Sequence, residues 1–422
     1  MRRTLPLALY AAATGLLEPL AALALRRRAR DGKEYVHRLN ERLGRTSLPR
    51  PEGPLVWLHG VSVGESLSLL PLIEALKARR PDLHILVTSG TVTSAEVLAR
   101  RLPGDVLHQF APVDSPRAVA RFLDHWRPGA GLFVESELWP NLLMAARRRG
   151  VRLALLSARM GGDSARGWAR APASARALLS AFDLVLPQDE FTAERLGVLG
   201  ADVGPELNLK LAGSPPPVDA ALLGALRWGT AGREVVLAAS THPGEDAIIA
   251  RAFRAMGERG ALLIIAPRHP DRSPALAAEL QREGFKVERR ITGRPIEADT
   301  TAYILDSLGE LGAAFSVADV VVIGGSFIPG IGGHNPMEAA RLGSAIVTGP
   351  HMENAADIYG QMFADVAAIE AADARALTRH MEGLLTYPQI ARRIGAAARA
   401  YAERQGAALV TAMSLIEPLL PT

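Results

Sequence analysis

The chain has 422 residues, more than one ordinary hydrophobic core organises, so two domains are expected. Apolar residues make up 48% and charged residues 22%, a globular composition that excludes a disordered chain. Cysteine is absent, which excludes a disulfide framework, a thiolate zinc site and a cysteine nucleophile.

The net charge of +4 is unevenly placed. Residues 1–50 carry eleven Lys/Arg against four Asp/Glu, or +7, and the remainder carries 37 against 40, or −3. The basic excess flanks an apolar run, residues 5–25, interrupted only by Glu18 and punctuated by Pro6 and Pro19. Arg2 and Arg3 precede it, and Arg26, Arg27, Arg28 and Arg30 follow it. Such a run is long enough to cross a hydrocarbon core of about 30 Å at about 1.5 Å per residue. A helix lying in the membrane interface reads the same way, and a buried soluble helix is the bland alternative. Arginines rather than a small-residue cleavage site come next, which argues against a signal peptide. The heavier basic cluster keeps the body cytoplasmic, beside anionic lipid.

After Thr46, short β-rich apolar runs alternate with amphipathic helical stretches, the pattern of parallel α/β sheets. Strands are expected at 55–59, 84–88, 131–135, 152–156 and 183–186, with helices at 66–80 and 139–149. The segment 213–217, Gly213-Ser214-Pro215-Pro216-Pro217, is stiff and extended and reads as a linker. Alternation restarts with strands at 234–239, 261–266, 301–305, 319–323 and 345–348. The domains expected are an anchor and basic segment at 1–45, a Rossmann-like domain at 46–212, a linker at 213–220 and a second Rossmann-like domain at 221–422. The last helix has the option of packing back on the first domain. In open parallel sheets ligands bind beyond the carboxyl ends of the strands, so the turn after each strand carries the information.

The first strand runs into Gly60-Val61-Ser62-Val63-Gly64-Glu65-Ser66. Glu65 at that turn is either a base for an attacking hydroxyl or a first-turn carboxylate complementing the helix dipole. The strand at 131–135 ends in Glu135-Ser136-Glu137, two carboxylates of which one faces inward; the bland reading makes Glu137 a helix cap. Ser240, Thr241 and His242 follow the strand at 234–239. Pro267-Arg268-His269-Pro270 follows the strand at 261–266, and an Arg there suits phosphate or carboxylate. The densest segment is Gly324-Gly325-Ser326, then Gly330 to Glu338, with Asn335 and Pro336 at a helix start whose free backbone N–H groups are expected to hold phosphate. Neither a Walker A loop nor a G-x-G-x-x-G fingerprint is present. No Asp-x-Asp and no zinc spacing occurs, so no metal is expected. Aromatics are 5% and not interleaved with basic residues, so no nucleic-acid partner is expected.

These segments, in this order and spacing, resemble the 3-deoxy-D-manno-octulosonic acid (Kdo) transferases of lipopolysaccharide assembly. The resemblance runs through His59 to Glu65, Glu135 to Asn141, Ser157-Ala158-Arg159, Asn208-Leu209-Lys210, Ser240-Thr241-His242, Pro267 to Pro270, Leu308 to Leu311, Gly324 to Ser326, His334 to Glu338 and Gly349-Pro350-His351. It implies the GT-B type of α/β fold, two Rossmann-like parallel-sheet domains facing a central cleft. It implies metal-independent, inverting transfer of Kdo from CMP-Kdo to a lipid A precursor at the cytoplasmic face of a bacterial inner membrane, with membrane lipid as a partner and no cofactor. Carried over by position, Glu65 is the implied proton acceptor, and Glu135 and Lys210 stabilise the transition state. Pro267, Arg268, Leu308, Gly309, Glu310, Asn335, Pro336, Met337 and Glu338 are the implied CMP-binding positions. The sequence departs from the family pattern after Lys210, where Leu211 and Ala212 replace an aromatic residue and Asp. The competing readings are a GT-B enzyme with a uridine donor, an epimerase included, and a membrane-tethered binding protein without turnover.

Overall fold

The computed structural model describes residues 3–213 and 215–422; Arg2 before the apolar run and Ser214 in the linker lie outside them. The chain divides into two compact units, Met1–Gly213 with Gln405–Thr422, and Ser214–Arg404. Residues 405–422 thus group with the first unit. Ala412, Met413, Ile416, Leu419 and Leu420, at helical spacing, enter its core beside Leu69, Leu72 and Leu76.

The first unit holds a six-stranded sheet in the order β3-β2-β1-β4-β5-β6. Its strands are β1 (Leu55–His59), β2 (His84–Ser89), β3 (Leu107–Phe110), β4 (Ala130–Val134), β5 (Arg152–Ala158) and β6 (Leu184–Pro187). Every adjacent pair is parallel. That order is the doubly wound one, in which the chain reverses direction across the sheet between β1 and β4. Alternation along β1 feeds both layers: Val56 and Leu58 join the core under the helix Val63–Arg79, and Leu55 and Trp57 join the core under the helices Pro116–Trp126 and Pro140–Arg148. Strand β3 is absent from the expectation because His108 and Gln109 interrupt its apolar run. Buried Gln109 accepts Trp126 Nε1–H at 2.8 Å, and His108 Nε2 lies 2.9 Å from Ser89 Oγ, so tertiary partners replace the missing hydrophobicity.

The second unit holds a seven-stranded sheet in the order β13-β12-β11-β7-β8-β10-β9. Its strands are β7 (Val235–Thr241), β8 (Leu262–Pro267), β9 (Val287–Arg289), β10 (Ala302–Ile304), β11 (Val320–Ile323), β12 (Ile346–Thr348) and β13 (Ile369–Glu370). All its pairings are parallel too. The two strands not expected from the sequence, β9 and β13, are the edges. They are too short and too polar for a period to register.

The apolar N-terminal run forms α1 (Leu5–Arg30), a helix long and apolar enough to cross a membrane. One face is docked on the first unit. Glu18 is buried, accepting from Ser115 Oγ and Arg121 Nη2 at 2.8 Å each. Tyr10 Oη donates to Asp114 Oδ2 at 3.0 Å, and Asn141 Nδ2 donates to Thr14 Oγ1 at 2.9 Å. Leu7, Ala11 and Leu25 are buried along the same face. The opposite face carries Leu5, Leu9, Leu16, Leu20 and Leu23, each more than half exposed. At about 100° per residue those five fall within an arc of about 60°, facing away from the docked residues.

Phe122 sits with no exposed surface against Trp57, ring centroids 5.1 Å apart. Phe122→Ala is expected to lower the stability of the first unit by about 3–5 kcal/mol, read from the urea midpoint of its unfolding transition.

Candidate functional site

The sequence-expected residues of the first unit collect at the carboxyl ends of β1, β4 and β5. Ser62 is the N-cap of the helix Val63–Arg79, and Glu65 reaches back to it. Glu65 Oε1 accepts from Ser62 Oγ and Oε2 accepts from Val61 N–H, both at 2.7 Å, while Glu65 N–H donates to Ser62 Oγ at 3.3 Å. This is a variant of the capping box, the carboxylate taking the N–H one residue before the N-cap, and it orders the helix start. The same half-buried carboxyl is pushed above its ordinary range. Burial is the largest cause, and the Glu137 and Glu135 carboxylates add to it against the Ser62 and Val61 hydrogen bonds. Gly60 makes the close approach possible, because a Cβ there would lie 3.1 Å from both Glu65 Cβ and Val134 Cγ2.

Glu135, just past β4, is buried and in the left-handed region at φ 61°. Ser157 in β5 is another left-handed residue, φ 50°, where the β5–β6 register shifts. Strain of this kind at two neighbouring strand ends persists only where the surroundings enforce it. Here it has a visible use. The kink turns Ser157 Oγ to accept Leu209 N–H at 3.3 Å, and Asn208 Oδ1 accepts Lys210 N–H at 3.2 Å. The short turn Leu209–Leu211 is thereby fixed, and Lys210 Nζ lies 2.6 Å from Glu135 Oε1. The Asn-Leu-Lys segment, opaque in the sequence apart from its resemblance, is a mount for one ammonium group. Glu65, Glu135 and Lys210 therefore share one locality.

Glu137 does not cap the following helix. The N-cap there is Trp139, without a side-chain cap, and Glu137 Oε2 instead accepts Trp139 Nε1–H.

The expected residues of the second unit collect at the carboxyl ends of β8, β10 and β11. Pro267 ends β8, and Arg268 is exposed, its guanidinium without an ion pair among the described residues. Past β10, Leu308 is 81% exposed, Gly309 takes φ 84°, and Glu310 is ion-paired with Arg290 at 3.1 Å. Asn335 and Glu338 are exposed, whereas Pro336 and Met337 are buried.

At the start of the Gly-rich loop three consecutive amides, Gly325 to Phe327, are already occupied. Fully buried Glu245 accepts N–H groups from Gly325 at 2.7 Å and from Ser326 and Phe327 at 2.9 Å, and from His242 at 2.9 Å. Gly333 N–H donates to Gly325 O, and Met337 N–H to Asn335 Oδ1, at the start of a helix only five residues long. The protein's own carboxylate fills this nest of consecutive amides and so shapes the loop. Nothing in the local sequence distinguishes Glu245, because its partners lie about eighty positions downstream.

Side chains do gather there. Ser240, left-handed at φ 59°, turns its carbonyl to the His334 ring. His334 Nε2 in turn lies 2.9 Å from His242 Nε2, one ring donating to the other. His269 stands edge-on to His242, ring centroids 6.0 Å apart. Arg272 is committed elsewhere, held by buried Asp246 at 2.7 Å. Burial first, then His242 and Arg268, lower His334 to about 4, and burial first lowers His242 as well. Among the described residues no group of three His, Asp or Glu side chains is placed to hold a metal ion.

The comparisons with known proteins agree across sequence and fold. The family described as 3-deoxy-D-manno-octulosonic-acid transferase (kdotransferase) matches residues 37–212. The chain is 39% identical to a probable 3-deoxy-D-manno-octulosonic acid transferase, mitochondrial, of Arabidopsis thaliana, covering 82% of this chain and 79% of that one. It is 35% identical to the 3-deoxy-D-manno-octulosonic acid transferase of Bordetella pertussis over 97% of this chain and 99% of that one. Among solved structures, UDP-GlcNAc 2-epimerase from Neisseria meningitidis bound to UDP-GlcNAc superposes with a TM-score of 0.55 at 12% identity, covering 86% of this chain and 100% of that one. That likeness shows the fold alone, the GT-B arrangement of two parallel α/β domains.

His334 is expected to titrate in the folded protein at about 4 rather than its ordinary 6.5, which histidine NMR reads directly. Because the folded value lies below the unfolded one, the stabilisation is complete above about pH 6.5 and lost as pH falls toward 4. His334→Asn is expected to flatten that part of the melting-temperature profile.

Proposed function

We propose that this chain, which belongs to the 3-deoxy-D-manno-octulosonic acid transferase family and is a glycosyltransferase, moves Kdo from CMP-Kdo to a hydroxyl of a lipid A precursor and releases CMP. The observation that carries the mechanism is Glu65, a half-buried carboxyl whose proton affinity is raised by burial and by two neighbouring carboxylates. A base of that kind accepts the acceptor hydroxyl's proton as its oxygen bonds to the anomeric carbon of Kdo. The bond from that carbon to the CMP phosphate oxygen breaks in the same displacement, its electron pair leaving with CMP, so the configuration inverts.

Charge sets the roles of the other residues. Lys210, held by its pair with Glu135, is suited to the carboxylate of Kdo and to charge developing in the transition state. On the second unit, exposed Arg268 meets the CMP phosphate with its planar fork of donors. Pro267, Leu308, Gly309, Glu310 and the segment 335–338 frame the nucleotide, with Leu308 offering an apolar surface and Glu338 a carboxylate for ribose hydroxyls.

Attachment is at the membrane interface, at the cytoplasmic face of the bacterial inner membrane, with α1 lying in its plane. Crossing the bilayer strips the buried Glu18–Arg121 pair and the Tyr10 and Asn141 hydrogen bonds, which makes a span unfavourable. The exposed leucine stripe enters the acyl boundary instead, with Arg26, Arg27, Arg28 and Arg30 beside anionic headgroups. A lipid-borne acceptor gives this attachment its purpose.

Glu65→Ala is expected to abolish transfer, measured as the mass increase of a lipid A precursor incubated with CMP-Kdo, while thermal shift by CMP persists and exceeds that by UDP. Equal stabilisation by UDP removes the cytidine donor from the reading. Leu16→Glu with Leu20→Glu is expected to weaken co-sedimentation with anionic vesicles at least about tenfold, since each leucine contributes about 1.5–3 kcal/mol on burial. Thr4→Cys, the sole thiol of such a chain, is expected to react with an impermeant reagent from the cytoplasmic side; labelling from the periplasmic side establishes a span.

A further inference from the structure

A groove of about 450 Å³ opens along the last turns of α1. Ala22, Leu25 and Ala29 line it from the helix, and Leu39 and Leu43 line it from the segment that follows. That segment is fixed on the sheet: Glu41, paired with Arg38 at 2.8 Å, accepts Phe110 N–H at 2.7 Å. A buried carboxylate ties the two walls together. Glu34 is paired with Arg28 of α1 at 3.1 Å and with Arg42 at 3.6 Å. The fold therefore sets the width of the groove by itself, as in a preformed ligand site.

Arg26 and Arg30 also line the groove and are exposed. Four residues apart, they share one face of the helix, where like charges repel. Arg28, Arg38 and Arg42 each have a carboxylate partner, whereas Arg26 and Arg30 have none among the described residues. The helix dipole accounts for Arg30 in the last turn but not for Arg26 before it. At about 100° per residue, both fall on the flank of α1 between its docked face and its leucine stripe. The mouth of the groove thus borders the exposed apolar surface.

We propose that this groove binds one anionic phospholipid, its phosphate between Arg26 and Arg30 and part of an acyl chain along Leu25, Ala29, Leu39 and Leu43. Charge complementarity and continuity with the leucine stripe select that occupant. A free phosphate answers the two guanidiniums but leaves the apolar walls in water. A hydrocarbon covers the walls but leaves the cations side by side. A molecule with a negative head and an apolar tail does both. This goes beyond attachment of α1 to a surface, which needs only the stripe and the diffuse pull of arginines on anionic headgroups. A seated lipid is a ligand of fixed stoichiometry. By bridging α1 and the segment 36–43 it also stabilises the docked helix, since a ligand that binds only the folded state shifts the folding equilibrium. The inference is independent of the transfer chemistry.

The test is native mass spectrometry of the full-length protein in a neutral detergent, titrated with phosphatidylglycerol or phosphatidylcholine. One phosphatidylglycerol per chain is expected, with phosphatidylcholine at least about tenfold weaker and inorganic phosphate unable to displace the lipid. Arg26→Gln with Arg30→Gln is expected to weaken the phosphatidylglycerol adduct at least about tenfold. Ala22→Phe fills the groove without altering charge, and is expected to weaken it to a similar extent. Arg100→Gln with Arg101→Gln removes the same charge from the end of the helix Val92–Arg101 and should leave the adduct unchanged. The exposed arginine pair carries the test if Ala22→Phe fails to fold. Equal binding of phosphatidylcholine, displacement by phosphate, or an adduct indifferent to Arg26 and Arg30 overturns the proposal. So does an equal loss in the Arg100 and Arg101 variant. Leu16→Glu with Leu20→Glu separates the groove from the stripe: the adduct is expected to persist in detergent while vesicle binding falls, and its loss there moves the lipid to the stripe and removes the groove site.

Discussion

Glu65, Glu135 and Glu137 follow the neighbouring parallel strands β1 and β4, and the like charge of the latter two is a constraint on the first. Left alone, such a group sheds charge by taking up protons. The structure divides the problem instead. Lys210 neutralises Glu135, Trp139 Nε1–H holds Glu137, and the strain at Glu135 and Ser157 turns strand ends so that the ammonium reaches its partner. Burial and the two like charges together raise the proton affinity of Glu65.

The second unit solves the opposite problem. A Gly-rich loop beside a parallel sheet has amides that attract any anion, and the chain supplies one of its own. Glu245 satisfies three consecutive amides and a fourth from His242, giving the loop a single shape before any ligand arrives. Beyond the loop, Arg268 stands exposed and the His242 and His334 rings bring their Nε2 atoms within 2.9 Å. Both units thus use a left-handed residue at a strand end to aim a polar group that regular backbone cannot direct.

The N-terminal helix joins chemistry to location. Its apolar composition is that of a span, yet its buried Glu18 and the hydrogen bonds of Tyr10 and Thr14 belong to a helix docked lengthwise on a domain. An acidic residue that looks like a flaw in a membrane segment is the anchor point of the docked face.

The alternation of apolar runs determined the parallel α/β class and placed most strands, because buried parallel strands need continuous hydrophobicity. Strand β3 and the edges β9 and β13 escaped, since their stability comes from neighbours and side-chain partners. Segment chemistry after each strand marked Glu65, Glu135 and Arg268, as ligand groups sit at carboxyl ends in this fold, whereas Lys210 entered through the family resemblance alone. The tertiary structure alone decided that Glu245 occupies the loop amides, that Asn208 and Ser157 aim Lys210, and that α1 is docked on one side. Each is a contact between residues far apart in the chain, and a linear pattern records periodicity and local turns but not which distant donor meets which acceptor.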